Sequence, residues 1–166
     1  SFLHFLVIAD YREDDPSELL EGPKIGFKIP EVLTVEEIDT IISTVDLSKK
    51  EGQRNRAILE TLYSCGLRVS ELCSLKLSEL YFDEGFIKVE GKGSKQRLVP
   101  ISPRAIKEIK NWLIDRNLGK IKKGFEDYVF LARWGNSISR IMVFHLIKEL
   151  AEKAGITKNI SPHTFR

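Results

Sequence analysis

The apolar residues of this chain change period twice, and that change constrains the fold more than any other feature. From Thr34 to Leu75 they recur every three to four residues, as on one face of a helix. From Leu75 to Ile101 they alternate, as in half-buried strands, and after Arg104 helical spacing returns. A chain patterned in this way folds as a mainly α-helical α+β domain, with a small three-stranded antiparallel sheet set between helices.

The helices carry their own start and stop signals. Thr34-Val35-Glu36-Glu37 reads as a capping box, followed by Ile38, Ile41, Ile42 and Val45 on one face. A second helix spans Asn55 to Ser64, with Ile58, Leu59, Leu62 and Tyr63 turned to a core; Gly66 interrupts it and Leu67 to Leu75 resumes. The expected strands are Leu75–Leu80, Phe86–Glu90 and Arg97–Ile101, joined at Asp83-Glu84-Gly85 and Gly91-Lys92-Gly93-Ser94-Lys95-Gln96. Tyr128–Leu131 reads as a brief extended segment. Two further helices run from Arg104 to Asn117, stopped by Gly119, and from Ser139 to Ala154, stopped by Gly155, the latter with Phe144, Ile147, Leu150 and Ala151 on its apolar face. Ser161-Pro162 opens a last helix, serine as N-cap and proline at the first helical position.

Ahead of all this, residues 1–11 read as the end of a helix. The segment Gly22 to Pro30, with two prolines, two glycines and no helical period, reads as a linker. The expected division is therefore residues 1–29 and residues 30–166.

Composition narrows the class. With 42% apolar and 30% charged residues the chain is an ordinary globular one, and no stretch approaches the roughly 20 apolar residues that span a bilayer. The apolar start at Ser1 lacks the basic segment and cleavage site of a signal peptide. Two cysteines, Cys65 and Cys73, make no disulfide framework and point to thiols in a reducing, cytoplasmic setting. Three histidines and no Cys-x-x-Cys pair make a metal site improbable. Net charge is only +2, but it is unevenly spread: residues 1–29 sum to −3 and residues 86–110 to +5. A basic block in a near-neutral protein fits a phosphate-binding face, or a solvated hairpin and helix surface.

Individual cations stay ambiguous. Arg68 is the lone strong cation among apolar neighbours, and Glu71, at i+3, shares its helical face and is placed to orient the guanidinium; a local surface ion pair has the same pattern. Lys92 lies between two glycines, which admit a nucleic-acid strand closely and equally suit a plain turn. Lys95 and Arg97 beside it either hold phosphates or solvate the hairpin. His163 and Arg166, three apart at the start of the last expected helix, fit a phosphate at the positive end of a helix dipole or a surface histidine.

Together they are far more specific. Gly66-Leu67-Arg68-Val69-Ser70-Glu71-Leu72, Gly91-Lys92-Gly93-Ser94-Lys95-Gln96-Arg97 and Ser161-Pro162-His163-Thr164-Phe165-Arg166 occur in that order and spacing. From about Pro30 to the last residue this resembles the tyrosine recombinase (phage integrase) family, most closely its bacterial Xer-type members. The resemblance implies the family's catalytic domain, preceded in residues 1–29 by the tail of its N-terminal core-binding helical domain. It implies DNA cleavage through a 3′-phosphotyrosine without metal or other cofactor, on a double-stranded recombination site held by a tetramer of protomers. Carried over by motif, Arg68 and Arg166 bind the phosphate, Lys92 is the general acid, His163 assists and Glu71 braces Arg68. Arg140 begins a helix where family members meet DNA, and joins Lys95 and Arg97 as a DNA-binding candidate; His145 on that helix reads as structural. The expected biological role is Xer-like chromosome dimer resolution or mobile-element integration and excision.

The departure is the nucleophile. The family's tyrosine follows the His-x-x-Arg helix, whereas Tyr11, Tyr63, Tyr81 and Tyr128 all precede it. The expectation is a catalytic domain truncated at its C-terminus and inactive as it stands; the alternative is a natural truncation that binds DNA without cutting. A type IB topoisomerase shares the cation set, but the compact spacing argues against it.

Overall fold

The computed structural model describes residues 2–19, 32–91, 95–158 and 160. The linker at 22–30, Lys92 at the hairpin turn, and the helix expected from Ser161 with His163 and Arg166 lie outside the described residues. The chain divides into two compact units, Ser1–Pro30 and Glu31–Arg166.

The first unit holds helix α1 (Phe2–Ile8) and a single 3₁₀ turn at Pro16–Leu19. Asp15 starts that turn by accepting bonds from the Ser17 backbone N–H at 2.9 Å and the Ser17 hydroxyl at 2.5 Å.

In the second unit, α2 (Val35–Ser43) opens on the expected capping box: Thr34 Oγ1 accepts the Glu37 N–H, and the Glu37 carboxylate accepts the Thr34 N–H. Helix α3 spans Gly52–Cys65, starting earlier than its apolar face announced, and ends at Gly66 in the left-handed conformation, φ 55°. The turn through Gly66 and Leu67 launches α4 (Val69–Ser74). The sheet follows in the order β1 (Leu80–Tyr81), β2 (Phe86–Glu90), β3 (Gln96–Pro100), antiparallel throughout. Helix α5 (Pro103–Leu118) starts with Ser102 as N-cap and Pro103 at its first position, and α6 (Arg140–Lys153) starts with Ser139 as N-cap. Ile41, Ile58, Leu62, Leu72, Ile87, Ile109, Phe130 and Ile147 are fully buried and join helices and sheet in one core.

Two expectations need correction. The alternating run Leu75–Leu80 is not one strand: Lys76 bridges Tyr128, Leu77–Glu79 is a 3₁₀ turn, and only Leu80–Tyr81 pairs with β2. Its backbone groups are claimed elsewhere, Leu77 N–H by the Asp127 carbonyl at 2.7 Å and Ser78 N–H by the Asp127 carboxylate at 3.1 Å. On α6 the buried stripe is Val143, Ile147, Leu150 and Ala151, so Phe144 and His145 lie exposed beside it, ring to edge at 5.9 Å. His145 is thus a surface residue, not a packed one; the compact aliphatic stripe decided the helix rotation, one residue away from the aromatic.

Candidate active site

Arg68 stands where α3 gives way to α4. Gly66 reverses the chain without the cost a side chain meets at positive φ, and Arg68 follows in extended conformation as the N-cap of α4. An N-cap residue points out of the helix it starts, so the Arg68 side chain is about half exposed, at 51%.

One carboxylate organises what surrounds it. Glu71 Oε2 accepts the Arg68 backbone N–H at 2.8 Å, and Oε1 accepts Arg68 Nη1 at 3.1 Å. Oε2 also accepts Arg97 Nη2 at 2.8 Å, while the Glu71 side chain is only 2% exposed. The glutamate is buried and both guanidiniums are half in water, so each arginine keeps N–H groups for a further anion.

Strand register explains why Arg97 takes part. It lies opposite Val89 in the β2–β3 ladder, as Val99 lies opposite Ile87. Opposed residues share a face, and Ile87, Val89 and Val99 are buried. Arg97 therefore occupies the inward face where apolar packing ends, and its charge meets Glu71 there. The hairpin closes through Gly91 N–H to the Lys95 carbonyl at 2.8 Å, and a Cβ on Gly91 would sit 3.8 Å from Glu71 Oε1. The turn that carries Lys92 in sequence thus begins and ends beside this carboxylate.

Among the expected site residues, the structure joins Arg68, Glu71 and Arg97 directly. Lys95 is exposed at the foot of the turn. Arg140 is exposed at the start of α6, close enough to Cys73 on α4 for its charge to act on that thiol. Cys73 and Arg68 are separated by about 7 Å of helix rise. Burial pushes the thiols of Cys65 and Cys73 up to about 11, so both stay protonated and unreactive near neutrality. Three tyrosines of this unit serve packing: Tyr81 stacks on Phe86 at 4.9 Å, Tyr128 tilts against Phe125 at 5.4 Å, and Tyr63 lies against the core. No group of His, Cys, Asp and Glu suited to a metal occurs among the described residues, nor, among them, a helix long and apolar enough to cross a membrane.

Burial raises the Glu71 carboxyl, but the Arg68 N–H, the Arg97 charge and the two guanidinium bonds outweigh it and hold the group below the usual glutamate range. Its stabilising contribution is therefore complete above the unfolded value of about 4.3 and lost as pH falls through the lower folded value. Glu71→Gln is expected to lower the melting temperature at neutral pH, and the gap to wild type should narrow in acid. A gap that stays constant on acidification would show that the charge on Glu71 does not support the fold.

Comparison with known proteins identifies the family. Residues 31–166 match the model of the phage integrase family. The tyrosine recombinase XerD of Staphylococcus saprophyticus is 39% identical over 166 residues, all of this chain and 56% of that protein, and XerD of Staphylococcus aureus strain Mu50 is 38% identical over the same share. Among solved structures, the XerA recombinase superposes with a TM-score of 0.73 at 30% identity, over 87% of this chain and 50% of its own. The XerH site-specific recombinase, bound to palindromic difH substrate in a post-cleavage complex, gives 0.73 at 24% identity over 87% of this chain and 42% of its own, a likeness of fold. The chain spans little more than half the length of these curated relatives. With a family model matched over residues 31–166 and the fold of the XerA recombinase, the chain belongs to the phage integrase family.

Proposed function

We propose that residues 30–166 belong to the catalytic domain of a tyrosine-type site-specific DNA recombinase, and that residues 1–29 are the end of the core-binding domain and linker. The observation that carries the reading is Arg68: a buried carboxylate holds its backbone N–H and one prong of its outward guanidinium, with donors left over. Such an arginine neutralises charge that develops on the non-bridging oxygens of a phosphodiester during attack. Its fork is held before substrate arrives, so little rotamer entropy is lost in binding.

The reaction needs four parts. A tyrosine hydroxyl attacks the scissile phosphorus and forms the P–O bond of a 3′-phosphotyrosine, its proton passing to a base, a part open to His163. The bond to the 5′-oxygen breaks, and that oxygen takes a proton to leave as a hydroxyl. Arg68 and Arg166 balance the phosphate charge, Lys92 supplies the proton, and His163 assists by hydrogen bonding and proton transfer. Lys95 and Arg97 contact the duplex backbone, and Arg140 contacts a phosphate or a base edge. The duplex is a recombination site held by further protomers, in a cytoplasmic protein acting in Xer-like chromosome dimer resolution or in integration and excision of a mobile element.

The test is leaving-group chemistry in the full-length protein. Lys92→Ala is expected to lower cleavage of an ordinary site duplex by roughly 10²–10⁴-fold. A bridging 5′-phosphorothiolate, whose thiolate leaves without a proton, should restore cleavage to near the wild-type rate. Lack of rescue would remove Lys92 from the acid role, and lack of any covalent adduct with wild-type protein would refute the recombinase reading.

A further inference from the structure

The fold pairs its buried acids. Glu71 holds Arg68 and Arg97, Glu60 holds Arg104, and Glu108 holds Arg56 at 3.5 Å. Two buried arginines break that pattern. Arg54, 7% exposed, donates to Asn55 Oδ1 at 3.1 and 2.9 Å and to the Leu131 carbonyl at 3.2 Å. Arg116, 4% exposed, donates to the carbonyls of Tyr128 and Glu126 and to Asn117 Oδ1. Neither has a carboxylate within ion-pair distance among the described residues; Glu51 and Asp127 act on them only from farther away. A guanidinium has five N–H groups, so each keeps donors beyond those three bonds.

Both line one pocket, between the start of α3 and the end of α5. Lys49, Lys50, Lys120 and Arg133 complete its cationic lining, against only Glu51 and Asp115. A buried charge without a counter-charge is costly unless an anion completes it. All four of these outer cations are exposed, so the site faces solvent. Trp134, beside Arg133, is 75% exposed.

We propose that this pocket is a second phosphate-binding site, and that its occupant is the sugar-phosphate backbone of duplex DNA. The occupant rests on the recombinase reading. Guanidinium forks and several ammonium groups match phosphate oxygens, and an outward-facing site with its cations on the rim fits a strand laid across it better than an enclosed metabolite. Helix α3 separates the pocket from Arg68 by about 20 Å of rise, which is about six base pairs of duplex. The pocket grips DNA away from the scissile phosphate and contributes affinity rather than chemistry.

The experiment compares full-length wild type with the triple variant Lys50→Gln, Lys120→Gln, Arg133→Gln, all surface positions, after thermal melting has shown both folded. Duplex affinity is measured across a salt series, covalent adduct formation is scored in parallel, and inorganic phosphate is titrated without DNA. The expected result is a salt slope shallower by about 2 to 3 in the variant, near 0.9 for each lost phosphate contact. An unchanged slope with wild-type affinity overturns the proposal, while adduct formation by both proteins leaves the recombinase reading standing. Phosphate that stabilises wild type but not the variant, with the slope unchanged, overturns DNA as occupant in favour of a small phosphate. Wild type that neither binds duplex nor forms adduct overturns both readings.

Discussion

Arg68→Ala in the full-length protein is expected to lower covalent adduct formation on a nicked site duplex by at least ~100-fold, with duplex affinity falling by less than about tenfold. Removing one preorganised donor aimed at developing charge costs about 10²–10³ in rate at comparable sites. Binding is expected to survive because affinity for a duplex is spread over many phosphate contacts. Arg166→Ala should behave in the same way if the last motif carries the second phosphate contact. Adduct formation near the wild-type rate with Arg68→Ala would show that the guanidinium serves only as a surface partner of Glu71. Arg68→Lys separates charge from geometry, because lysine keeps the charge but loses the two-pronged fork that Glu71 and a phosphate share.

A large effect on stability is expected at Gly135. Its φ is +81°, and an added Cβ would clash with the Lys120 carbonyl oxygen and lie 2.8 Å from the Lys122 backbone N. Both are backbone atoms and cannot rotate aside. Its N–H donates to the Ala132 carbonyl, and its own carbonyl accepts the Lys122 N–H at 3.0 Å, so the turn is tied to the segment after α5. Gly135→Ala combines left-handed strain of about 1–2 kcal/mol with overpacking of about 1–3 kcal/mol. A loss of about 3 kcal/mol is expected, read as a melting temperature lower by roughly 10 °C. A shift under about 2 °C would mean that the turn yields freely. The same variant displaces the segment bearing Lys120, so duplex binding should weaken together with stability.

Much of the fold was legible because its signals are local. The capping box at Thr34 and Glu37, the break at Gly66, the Ser102 and Ser139 caps and the β2–β3 hairpin all depend on residues within a few positions of one another. The run Leu75–Leu80 failed for the converse reason. Its alternation was genuine, but Asp127, some fifty positions away, took its hydrogen bonds, and no local pattern announces that. Phe144 failed because helical spacing locates an apolar stripe only to within a residue when aromatic and aliphatic side chains stand side by side.

The candidate cluster divides in the same way. Arg68 and Glu71 are three residues apart on one helix start, so their pairing could be read from spacing alone. The turn toward Glu71 made by Arg97 could have been read from parity, since Arg97, Val99 and Ile101 alternate on one face. Arg54 and Arg116 gave no signal at all, because a buried arginine without a carboxylate looks like any other arginine until its burial is known.

By itself, then, the order of three short motifs determined that Arg68 starts a helix with Glu71 bracing it, because cap, turn and spacing are contacts along the chain. Only the tertiary structure decided that this glutamate is buried and shared with a strand, and that two arginines with no carboxylate partner among the described residues meet in one pocket from helices that are distant in sequence. Burial and counter-charge are properties of the packed molecule, set by which distant segments exclude water from a side chain, and no run of neighbouring residues encodes them.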